Sequence, residues 1–155
     1  MNNEINAQAK ELALEVINEI KKQQTDKRFH NTKLLMKNYT KLKSHIDDVS
    51  NKNLDCEVQD PLEEDVELKS VMRTKARTAQ MLACVDIALD VLEEEYLESD
   101  KYYVFEAFEL YYIKGYTYQQ LADYYYAGKN TPARWVNEVV RKLSVLLWGI
   151  DALGM

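Results

Sequence analysis

The 155 residues contain only 4 glycines and 2 prolines, and no stretch of useful length alternates polar with apolar. Glycine and proline punctuate turns and loops, and period-two alternation marks a half-buried strand. A chain this poor in both is expected to be all-α. Its hydrophobic content of 46% is enough to fill a core, so the helices are expected to pack on one another.

Helical periodicity divides the chain. Across residues 4–24, Ile5, Ala9, Leu12, Val16 and Ile20 recur at steps of three and four. The polar, basic run 21–30 reads as a turn. A second helix is expected over residues 32–49, where Leu35, Tyr39, Leu42, Ile46 and Val49 form a heptad-like seam. Residues 1–50 thus read as a helical hairpin for oligomerisation or partner contact. Residues 51–61, polar and ending in Asp60-Pro61, read as a linker. A helical domain is expected over 62–155. It opens with a long central helix over 62–96, with Leu82, Val85, Leu89, Leu92 and Tyr96 as its seam. Another helix follows over 101–114, and a helix-turn-helix over 117–147 closes the regular part.

The helix-turn-helix carries the functional signal. Thr117 suits the N-cap of the first helix, whose inner stripe is Leu121, Ala122 and Tyr125. Gly128, between Ala127 and Lys129-Asn130, is expected to supply a positive φ in the turn. Pro132 suits the first position of the second helix, which makes Thr131 its expected N-cap. At about 100° per residue, Asn137, Glu138 and Arg141 fall within about 60° of Arg134, while Pro132, Val136, Val139, Leu143 and Leu147 centre near 180° from it. One face is core. The other offers arginine and asparagine, the side chains that pair bidentately with guanine and adenine in the major groove. Trp135 stands at the boundary. Lys129 and Asn130 in the turn are placed toward phosphate, and Tyr118, at a helix start, is the tyrosine best placed to reach one.

Charge is distributed unevenly. The net charge is −6, but residues 1–60 are neutral, residues 61–114 carry −7 and residues 115–155 carry +1. The acid lies away from the proposed reading head, which is compatible with one local basic face. Four basic residues make a weak electrostatic footprint, so a monomer is expected to bind DNA weakly.

Chemistry finds no footing. Gly128-Lys129-Asn130-Thr131 lacks the upstream glycine and the following Ser/Thr of a phosphate loop. Cys56, Cys84, His30 and His45 have no zinc-type spacing, and no nucleophile triad is visible. No catalytic residue, metal or cofactor is expected. Neither a membrane span nor a secretion signal is visible, so a cytoplasmic protein is expected.

Several segments resemble a known family. These are Tyr-Thr-Tyr-Gln-Gln-Leu-Ala at 116–122, Asn-Thr-Pro-Ala-Arg-Trp-Val-Asn-Glu at 130–138, Leu-Ser-Val-Leu-Leu-Trp-Gly-Ile-Asp at 143–151, Asn-Thr-Lys-Leu-Leu-Met-Lys-Asn-Tyr at 31–39 and Arg-Thr-Ala-Gln-Met-Leu at 77–82. Together they are similar to phage and prophage late transcriptional activators of the RinA/ArpU type from low-GC Gram-positive bacteria. The C-terminal half of that family is similar to the promoter-reading helix-turn-helix of sigma factors. The resemblance implies sequence-specific binding to double-stranded DNA and activation through RNA polymerase. It implies that Thr131, Arg134, Asn137 and Arg141 read DNA, with Thr117, Tyr118 and Lys129 on the backbone. The sequence departs from the sigma pattern at Tyr126, where Gly or Asn is usual, and at Pro132, where an aliphatic residue is usual.

Two other readings use the same features. A small-terminase-like DNA-packaging module would combine a helix-turn-helix with helical oligomerisation segments. A DNA-independent helical protein would meet RNA polymerase through its acidic middle. The regulator reading, as a homo-oligomer, accounts for most of the residues.

Overall fold

The structure, a computed structural model, describes residues 1–53 and 66–153, with side chains described at 1–47, 73–149, 152 and 153. Every regular element among them is helical: α1 (Asn2–Asn53), α2 (Val66–Glu98), α3 (Tyr102–Tyr112), α4 (Tyr118–Tyr125), α5 (Thr131–Trp148) and the short α6 (Ile150–Leu153). The all-α expectation is met.

The N-terminal hairpin is not. α1 is one unbroken helix of 52 residues, and the expected turn at 21–30 lies within it. The reason is local. The first proline is Pro61 and the first glycine Gly115, so nothing in this run interrupts the i→i−4 ladder. Lys, Gln and Arg are good helix formers. The threonines bond back to the helix: Thr25 Oγ1 donates to the Lys21 carbonyl at 3.0 Å, and Thr32 Oγ1 to the Arg28 carbonyl at 2.7 Å. Polarity there reports exposure, not a turn. Of the expected linker, residues 51–53 complete α1 and the rest lies outside the described residues, as do residues 62–65 of the expected central helix.

α5 is the centre of the core. Its Val136, Val139, Val140 and Leu143 are fully buried in one cluster with Phe105, Ala107 and Phe108 of α3, Val85, Leu92 and Tyr96 of α2, Leu121 of α4, and Met36 and Tyr39 of α1. The seam expected on α2 is the buried one, with Leu89 half-buried at its edge. On α1, Met36 and Tyr39 are the buried apolar residues, and Leu35, Leu42 and Ile46 pack beside them. Tyr96 and Tyr125 pack their rings into the body and keep their hydroxyls paired, as amphipathic aromatics do. The Tyr125 hydroxyl donates to Glu106 at 2.6 Å and that of Tyr96 to Glu138 at 2.9 Å. Burial first, and the carboxylate second, push both phenols above their usual range.

Polar contacts fix α1 against this core. Trp148 Nε1 donates to Thr32 Oγ1 at 3.0 Å, and the Arg28 guanidinium lies 4.9 Å from the Trp148 ring centre. Farther along, the Tyr39 hydroxyl donates to Asp86, and Lys43 reaches the same carboxylate at 3.0 Å. Hydrogen bonds to Tyr39 and Asp86 raise the pKa of Lys43. Residues 1–20 take no part: every one is exposed.

Candidate nucleic-acid interface

α4 starts with a capping box. The Gln120 amide donates to Thr117 Oγ1 at 3.2 Å, and the Thr117 amide donates to Gln120 Oε1 at 2.9 Å. Thr117 is the N-cap, as its sequence context predicts. Tyr118 is half-buried, its ring stacked on Tyr111 with centroids 4.3 Å apart and planes within 4°. Burial raises its phenol pKa.

The turn between α4 and α5 differs from expectation. Its positive φ falls on Tyr126 (φ 52°, ψ 40°), which caps α4 by donating its amide to the Ala122 and Asp123 carbonyls. Gly128 has no positive φ. The left-handed residue is needed where the helix closes its last turn, two positions before the glycine. A helix end of this kind usually carries Gly or Asn, and here it carries a tyrosine. That side chain is 98% exposed.

α5 begins one residue earlier than expected. Asn130 is its N-cap and makes no side-chain cap bond, while Thr131 is already helical. Thr131 Oγ1 instead accepts from Arg134 Nη2 at 3.2 Å. Pro132 is buried within the first turn, where its missing N–H costs no helical bond.

Along α5, Arg134, Glu138 and Arg141 are exposed on one side, and Pro132, Val136, Val139, Val140 and Leu143 are buried on the other. Lys129 and Asn130 are exposed at the N-terminal end of that face. Asn137 stands apart from the expected group. It is half-buried, and its Oδ1 is enclosed with no hydrogen-bond partner. Helical spacing puts it on the same flank as Ser144 and Trp148, and Trp148 is where α1 closes on α5. Trp135 is resolved from boundary to packing. Its ring lies edge-on to Tyr103 at 5.1 Å and to Tyr125 at 5.4 Å.

The exposed face has neighbours that periodicity alone did not supply. Glu138 accepts from Tyr96 of α2, and Lys142 pairs with Glu95 at 2.6 Å. The acidic run 93–95 is therefore partly engaged by α5. The Arg141 guanidinium lies 5.0 Å from the Phe29 ring centre, and Lys33 Nζ lies 4.5 Å from the same ring. The available signal was Phe29 itself, an aromatic residue in an otherwise polar run.

The face offers cationic donors, one carboxylate and hydroxyl groups, a set suited to polar recognition. Among the described residues, no group of three or more His, Cys, Asp or Glu side chains is arranged to hold a metal ion, and no helix is long and apolar enough to cross a membrane. No family model, curated protein or solved structure matches this chain, which leaves its own residues as the ground for a functional reading.

Proposed function

We propose that this protein is a sequence-specific DNA-binding transcriptional regulator, an activator of phage type acting with RNA polymerase, in which α4 and α5 form the helix-turn-helix. The observation that carries the reading is that one side of α5 is core while Arg134, Glu138 and Arg141 stay exposed on the other. An arginine can take guanine O6 and N7 together, and a glutamate can accept from cytosine N4. Lys129, Asn130, Thr131 and Thr117 lie at the helix starts, where phosphates are favoured. Asn137 is a contact at the edge of this face once its amide turns outward. Tyr118 contributes through its packed ring and hydroxyl rim.

The reading includes self-association. Residues 1–20 extend for about 30 Å at 1.5 Å per residue. Along that length Ile5, Leu12, Val16 and Ile20 stay 50–63% exposed. A second copy laid on this stripe would cover it and double the phosphate contacts, offsetting the weak footprint of one chain.

Fluorescence anisotropy with neighbouring intergenic DNA and a scrambled control, at two salt concentrations, tests the reading. Selective binding is expected, and Arg134→Ala should weaken it by about 1–3 kcal/mol and relax selectivity. Unchanged affinity and selectivity in that variant would remove Arg134 from the reading set. Lack of DNA binding with retained polymerase binding would favour the DNA-independent partner protein. A ring of eight or more chains by solution mass would favour DNA packaging.

A further inference from the structure

α1 passes close to the turn between α3 and α4, and the two enclose an open cleft of about 700 Å³. Its polar lining has one sign. His30, Lys33 and Lys37 project from α1, Thr117 and Tyr118 form the opposite lip, and no carboxylate lines it. Lys37 and His30 are exposed, so their charge or donors face the open side.

Two further features give the cleft direction. Lys33 and Arg141 sit against one Phe29 ring, at 4.5 and 5.0 Å from its centre. Two cations sharing a ring repel each other, and an anion lying across both offsets that repulsion. The pair also links the cleft to the exposed face of α5: Lys33 lines the one, and Arg141 stands on the other. The opposite lip is stiff: Tyr118 is stacked face to face on Tyr111, and Thr117 is locked in the capping box. That box uses the Thr117 and Gln120 amides and leaves the Tyr118 and Gln119 amides without intrahelical acceptors.

We propose that this cleft binds the sugar-phosphate backbone of duplex DNA, flanking the bases read by α5, so that α1 is part of the DNA interface. The proposal rests on the DNA-binding reading above. A phosphodiester chain fits better than a free phosphate, because the cleft is open instead of closing around one anion, and its Lys33 shares the Phe29 ring with Arg141 of α5.

The test is the salt dependence of DNA binding by the full chain, comparing wild type with Lys33→Gln/Lys37→Gln. Each phosphate contact contributes about 0.9 to the slope of log affinity against log salt. The double variant should lower that slope by about 2. Between 50 and 200 mM salt it should therefore lose about tenfold less affinity than wild type does. Its preference for specific over scrambled DNA should stay unchanged. Lys22→Gln and Lys41→Gln remove exposed charges of the same helix outside the cleft and should leave the slope as it was. Thermal unfolding by circular dichroism checks that the double variant is folded, and Lys37→Gln alone, a fully surface change, should show half the effect.

An unchanged slope with selective wild-type binding would overturn the cleft proposal and leave the regulator reading standing. Equal losses from Lys22→Gln and Lys41→Gln would overturn it in favour of unlocalised charge. Displacement of DNA by inorganic phosphate at matched ionic strength would overturn it in favour of a small-anion site. Absence of any DNA binding by wild type would overturn both readings together.

Discussion

The two ends of α1 are one helix with opposite fates. Residues 1–20 carry an apolar stripe as regular as any in the chain, and all of it is exposed. Residues 28–46 carry a more polar sequence, yet they bury Thr32, Met36 and Tyr39 and close against α2, α5 and the end of α3. Hydrophobic periodicity marks a face that seeks cover, but it does not say which surface provides it. In the second half the cover is this chain's own core. In the first half none of the described residues covers it, and a second copy is the occupant proposed above.

The sharpest way to break this comparison is to delete matched apolar side chains from the two halves. Met36 is fully buried, so Met36→Ala should destabilise the chain by about 2–4 kcal/mol through lost burial and a residual cavity. Leu12 is 63% exposed, and Leu12→Ala should leave unfolding of the helical body unchanged while lowering the average mass in solution. Urea unfolding with light scattering reads both quantities. Loss of body stability in Leu12→Ala, or an unchanged mass in Leu12→Ala and Val16→Ala together, would contradict the assignment of the first half to self-association.

Thr32 marks where α1 becomes part of the body. Its hydroxyl accepts from Trp148 Nε1, and a valine keeps the shape while leaving that indole N–H unpaired against a buried neighbour. Thr32→Val should cost about 1–2 kcal/mol, and Thr32→Ser, which keeps the hydroxyl, clearly less. If Thr32→Ser costs more than Thr32→Val, the methyl contact and not the hydrogen bond secures the junction.

What the sequence made legible follows the same division. The buried seam of α2, the Thr117 cap of α4 and the core side of α5 all come from spacing and capping chemistry, which are local. Continuity of α1 was also local information. The absence of glycine and proline through residue 60 outweighs the polarity of residues 21–30, and polarity was the weaker signal. The rest depends on distant partners. Nothing near Asn137 in sequence says that its Oδ1 is enclosed. The cleft is similar: nothing near His30, Lys33 and Lys37 in sequence places Thr117 and Tyr118 across from them.

Strain offers a contrast of sign. The changes at Met36 and Thr32 remove something favourable, but Tyr126 holds a left-handed backbone with its side chain 98% exposed. A Cβ-bearing residue there costs about 1–2 kcal/mol, and glycine returns part of that gain by loosening the unfolded chain. Tyr126→Gly should therefore stabilise the body by about 0.5–1 kcal/mol in urea unfolding. Destabilisation would mean that the ring makes a contact worth more than the strain.

The smallest effect expected separates acids of the body from acids of the free helix half. On α3, burial and the neighbouring Glu93 and Glu106 raise the pKa of Glu109 above its ordinary 4.5, with Lys114 opposing. A raised folded pKa means that the group's favourable contribution is complete below the unfolded value and is lost as pH climbs through the folded one. At pH 7 the ionised carboxylate is thus a liability that glutamine would relieve. Glu109→Gln should raise stability at pH 7 by less than about 1 kcal/mol, since the group is partly solvated, and should give no gain near pH 4. Glu11 and Glu15 on the first half of α1 are exposed, and Glu11→Gln should change body stability at neither pH. An equal gain for Glu109→Gln at both pH values would show that glutamine acts through packing or helix propensity, and the electrostatic distinction between the two regions would fall.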